Sequence, residues 1–124
     1  MMNARIFVPN AIVFVLDPSN RCASVPDYVP NQVAVANSTC ISVATRAEVD
    51  GEVSFRLEKS SSGVGKSVYK RVFDGSIETP GGELAIVTAQ FERVLETDVA
   101  APVSRVTISV DDMCAPSVVR VNVI

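Results

Sequence analysis

The stretch FDGSIETPGGELAIVTAQFERVLETDVAAPVSRVTISVDD, residues 73–112, decides the fold. Apolar and polar residues alternate along it in short runs, broken at Pro80-Gly81-Gly82, Ala89-Gln90 and Ala100-Ala101-Pro102. A two-residue period means strands with one buried and one wet face, and the breaks supply turns.

The same pattern continues outward on both sides. In 52–58, Val53, Phe55 and Leu57 face one way and Glu52, Ser54, Arg56 and Glu58 the other. In 105–111, Val106, Ile108 and Val110 oppose Arg105, Thr107, Ser109 and Asp111. Strands are predicted at 5–8, 12–17, 32–36, 39–46, 52–58, 67–73, 76–78, 83–89, 91–98, 105–111 and 118–124. Asp50-Gly51 and Pro80-Gly81-Gly82 are turn signals. The Ser/Gly-rich residues 59–65 read as a hairpin loop. Residues 20–32, with Pro26 and Pro30, read as a long connection crossing between sheets. Clean alternation belongs to antiparallel sheets rather than buried parallel ones. Short strands at this spacing predict an all-β, single-domain antiparallel β-sandwich over residues 1–124, with two sheets of about four or five strands each.

Composition agrees and narrows the function. Of 124 residues 48% are hydrophobic but only 6% aromatic, so Val, Ala and Ile carry the core, and β-branched side chains suit a pleated surface. A chain this long can bury one core without disulfide or metal staples. The net charge of −3 argues against direct nucleic-acid binding, which needs a basic excess. Charge is unevenly placed: residues 1–73 hold eight basic and six acidic side chains, residues 74–124 three and eight.

There is no histidine, which removes the commonest general base and metal ligand and every Ser-His or Cys-His arrangement. Cys22, Cys40 and Cys114 are odd in number and widely spaced, without a Cys-x-x-Cys pair. That pattern argues against zinc and suits a reducing cytoplasm, with a disulfide between two of them left open. No calcium-loop run is present, and nothing marks a carboxylate pair for glycoside hydrolysis. The reading is therefore no enzyme, with no catalytic, cofactor or metal residues. The apolar start, 1–17, is split by Pro9-Asn10 and closed by Asp17-Pro18. It reads as a strand pair rather than a signal peptide, and no segment approaches membrane-spanning length.

Three charged or glycine-rich features remain. SSSGVGKS at 60–67 imitates a phosphate-binding loop, but its first required glycine is Ser60 and the following VYKRVF reads as strand, not helix. Lys59, Lys66, Lys70 and Arg71 form a basic cluster that suits a solvated rim or self-association with the acidic half. Glu92, Glu96 and Asp98 would share one face of strand 91–98 with Val94, opposite Phe91, Arg93, Leu95 and Thr97. Asp111-Asp112 ends the neighbouring predicted strand. These five acidic residues are the predicted partner-binding set, unless they serve only as a polar face guarding a sheet edge.

Residues 31–112 resemble a bacterial family of competence proteins that inhibit DNA-entry nucleases (the competence protein J, or DNA-entry nuclease inhibitor-like, family). The resemblance is carried by the short strand 32–36, CISVAT with the charged turn 46–51, VSFRLEK, VYKRVFDGSIETPGGELAIVT and RVTISVDD. Ala100-Ala101-Pro102 and Val106 stand where that pattern has Pro-Gly and an aromatic residue, and its tryptophan is absent. The resemblance implies a β-sandwich that binds and blocks a nuclease. The charge pattern is compatible, and the two together suggest a nuclease-inhibitor or immunity-type module whose acidic face meets a basic partner. The alternative is a structural subunit of a homo-oligomer or larger assembly. Its pairing edges would be the terminal strands in 5–17 and 118–124.

Overall fold

A computed structural model describes residues 2–59 and 69–124. Ten strands run through them: β1 (Met2–Ile6), β2 (Ile12–Leu16), β3 (Ala34–Ala36), β4 (Cys40–Ala44), β5 (Val53–Lys59), β6 (Lys70–Glu78), β7 (Glu83–Thr88), β8 (Arg93–Asp98), β9 (Val103–Val110) and β10 (Val118–Val123). Single 3-10 turns at Pro9–Ala11 and Glu48–Asp50 precede β2 and β5. The strands form two five-stranded sheets, ordered β1-β5-β10-β9-β6 and β3-β4-β2-β7-β8.

The alternation read from the sequence becomes the core. Val53, Phe55 and Leu57 meet Val106, Ile108, Val110, Val119, Val121 and Val123 on the inner face of the first sheet. Val13, Val15, Ile41, Val43, Leu84 and Ile86 answer them from the second. All are essentially inaccessible to water. Small branched side chains interdigitate closely, so removing the largest, as in Phe55→Ala, costs about 3–5 kcal/mol. The second sheet also buries part of its outer face. Phe14, Leu16, Cys40, Ala85 and Val87 form a separate apolar cluster there.

Topology corrects four local expectations. Seven of the eight strand pairings among the described residues are antiparallel, but β10 runs parallel to β5. β10 is thus central, not an edge, flanked by β5 on one side and β9 on the other. β5 and β6, the strands flanking the loop expected at 59–65, are not neighbours, since β10 and β9 lie between them, and residues 60–65 of that loop lie outside the described residues. The connection over 20–32 joins β2 to β3 within one sheet rather than crossing between sheets. The strands expected at 67–73 and 76–78 are one strand, β6, with a register shift between Arg71 and Phe73. Gly75 lies within it, where an added Cβ would stand 3.0 Å from the Phe73 ring. The phosphate-loop mimic 60–67, including Lys66, lies outside the described residues.

Candidate functional site

The β7–β8 hairpin carries the acidic edge. Its turn is held by Thr88, whose amide donates to the Glu92 carbonyl (2.9 Å) and whose carbonyl accepts from the Phe91 amide (2.8 Å). Thr88 Oγ1 also accepts from the Gln90 and Glu92 amides, each at 3.3 Å. Phe91 takes φ 60° and stacks on Phe14 with ring centroids 5.9 Å apart.

A bulge then changes which side chains share a face. Ile86 pairs with Leu95, but the next residue, Val87, pairs with Arg93, leaving Val94 as the extra residue. Val94 and Leu95 both turn inward against the core, and Arg93 joins Glu96 and Asp98 outside. Arg93 was expected on the opposite face. It instead forms a 2.5 Å ion pair with Glu96. Strict alternation fails here because a bulge inserts one residue into one strand only.

Glu83, which the sequence reading left out, completes this surface. It stands directly across the ladder from Asp98, like charge facing like charge. Met2, Glu83, Arg93, Glu96, Thr97 and Asp98 line a shallow hollow of about 430 Å³ there. The outward position of Glu83 follows from strand alternation, but its pairing with Asp98 depends on a register that the bulge sets.

The other predicted acidic residues lie apart from it. Glu92 sits in the turn before β8, at the far end of that strand from Asp98. Asp111 and Asp112 follow β9, in the other sheet, and their carboxylates hold the turn into β10. Asp111 Oδ1 accepts from the Ser117 and Val118 amides, both at 2.9 Å, and Oδ2 from the Ser117 hydroxyl at 2.5 Å. Burial pushes the Asp111 carboxyl up, but the hydrogen bonds from Ser117 and Val118 together outweigh it and hold the group below the usual carboxylate range. Asp112 Oδ1 accepts from the Cys114 amide at 2.7 Å and the Ala115 amide at 3.4 Å. Of the five, only Glu96 and Asp98 share one strand face.

Other chemistry is sparse. Cys22 and Cys114 are exposed free thiols and Cys40 is a buried one. No group of three His, Cys, Asp or Glu side chains placed to hold a metal occurs among the described residues. No helix among them is long and apolar enough to cross a membrane.

Fold and site together define a class, a two-sheet, antiparallel-dominated β-sandwich with a bulged acidic edge. The solved structure of ComJ, inhibitor of the DNA degrading activity of NucA, from Bacillus subtilis, has this fold. The two match with a TM-score of 0.71 at 14% identity, over 99% of this chain and 94% of that one. No family model matches the chain, and no curated protein does.

Proposed function

We propose that this chain is a non-enzymatic protein-binding module of the nuclease-inhibitor or immunity type. Its acidic β7–β8 edge, Glu83, Glu96 and Asp98 with Glu92 at the turn, meets a basic surface of the partner. The carrying observation is the Glu83–Asp98 pair. Like charges directly opposite each other destabilise a ladder, so their placement makes sense where a cationic surface neutralises them. The likeness to ComJ supports an inhibitor-type role for such a fold. A nuclease is a fitting partner because a surface that holds DNA is basic, and carboxylates can take the place of phosphates. In the proposed arrangement, Asp111 and Asp112 shape the turn behind the interface and make no direct contact.

The test is a DNA-degradation assay with a nuclease from the same organism, titrated with this protein at low salt. Stoichiometric inhibition that weakens as salt rises, and that Glu96→Lys/Asp98→Lys abolishes, is expected. Undiminished nuclease activity at saturating protein would overturn the proposal. Light scattering of the isolated protein separates it from the homo-oligomer alternative, which requires a stable assembly without any partner.

A further inference from the structure

The outer face of the first sheet carries a feature that the acidic edge does not explain. Arg5 on β1, Arg56 on β5 and Arg120 on β10 project from that face into one open groove of about 510 Å³. Asn3, Ser54 and Tyr69 also line it, and no carboxylate does among the described residues. Glu58, the next outward side chain along β5, lies outside the lining.

The ladder fixes this convergence. Arg56 stands directly between Asn3 of β1 and Arg120 of β10. Two guanidiniums are thus immediate cross-strand neighbours. Arg5 belongs to the adjoining row, opposite Ser54. The side chains are also oriented. Arg5 Nε donates to Ser54 Oγ and Arg56 Nε to Asn3 Oδ1, both at 3.3 Å. Each of these bonds uses one guanidinium N–H of five, so the Nη donors of Arg5 and Arg56 stay available. Arg120 stacks over the Tyr69 ring, 5.0 Å from its centroid, which holds its plane.

We infer that this groove is a binding site for a small phosphorylated ligand of nucleotide size, independent of the acidic edge. Planar guanidinium forks match phosphoryl oxygens two at a time, which a single lysine cannot do. The volume lies within the range of small-molecule sites. A net charge of −3 disfavours a long polyanion.

Isothermal titration of the whole protein with ADP, pyrophosphate and a single-stranded oligothymidylate tests the assignment. Saturable one-to-one binding of ADP or pyrophosphate is expected, weakened about tenfold or more by Arg56→Gln and less by Arg56→Lys, which keeps charge but loses the fork. Arg21→Gln, an equal charge change on the β2–β3 connection, should leave affinity unchanged. Circular dichroism melts confirm that each variant is folded. No saturable binding, equal losses in Arg56→Gln and Arg21→Gln, or oligothymidylate binding more than about tenfold tighter than ADP would each overturn it. None of these outcomes bears on nuclease inhibition, so the two proposals fail separately.

Discussion

The buried carboxylate of Asp17 accepts a hydrogen bond from the Gly81 amide at 2.7 Å, across 64 positions of the chain. Its other oxygen accepts from the Ser19 amide at 2.9 Å and hydroxyl at 2.6 Å. The end of β2 is thereby fastened to the corner where the chain passes from β6 to β7. The next corner is tied to it as well. The Val99 amide donates to the Gly82 carbonyl at 2.9 Å, and Thr79 Oγ1 donates to the Ala100 carbonyl at 2.9 Å. The acidic edge hangs from these two corners, so Asp17 sets its position without touching it.

Removing either partner should be costly. A Cβ on Gly81 would stand 1.7 Å from Ser19 Oγ, so Gly81→Ala must push Ser19 off Asp17. Asp17→Ala leaves three donors without their acceptor. Each change is expected to lower unfolding free energy by about 2–3 kcal/mol, read from urea denaturation midpoints. A loss below half a kilocalorie would show that the corner is held by other contacts.

Stability and binding should move in opposite directions at Asp98. Asp98→Asn removes the repulsion across the ladder from Glu83 and should raise stability by a few tenths of a kcal/mol. The same change should weaken the complex with a basic partner, chiefly through a slower association rate at low salt. Surface-based kinetics and a thermal melt on one preparation check both signs.

Burial pushes the Cys40 thiol up to about 12 from an ordinary value of 9.0. The folded state thus holds this proton more tightly than the unfolded chain. The resulting stability is intact below pH 9 and is lost as pH rises from there toward 12. Cys40→Ala should flatten that alkaline decline, at the expense of a smaller apolar cluster around Phe14. Thiol titration of the native protein at pH 8 should find Cys22 and Cys114 promptly, with Cys40 reacting only on unfolding.

Asn122 is 6% exposed, and neither its amide nitrogen nor its oxygen has a hydrogen-bond partner among the described residues. A buried amide without partners costs stability that an apolar residue of similar size does not. Asn122→Val is therefore expected to raise the unfolding free energy by about 1–2 kcal/mol in urea titrations. A decrease would mean that the side chain is satisfied by solvent.

Much of the fold was legible because one-sided burial writes itself as alternation. Val53-Phe55-Leu57 and Val106-Ile108-Val110 could be assigned to the core from spacing alone. Strand order could not, since alternation says which face is buried and nothing about which strand lies beside it. For that reason β10 was expected at an edge and lies in the centre, and 59–65 was expected to join neighbours that two strands separate.

The candidate site divides along the same line. By itself the sequence determined that the β8 segment carries Glu96 and Asp98 two residues apart, on a face turned away from the core. Charge and period are local properties of consecutive residues. Only the tertiary structure decided that a bulge turns Arg93 onto that face, that Glu83 opposes Asp98, and that Asp111 and Asp112 are spent on their own turn. It alone gathered Arg5, Arg56 and Arg120 from three distant segments into one groove. Pairing register is set by contacts between strands far apart in the chain, and no local pattern records it.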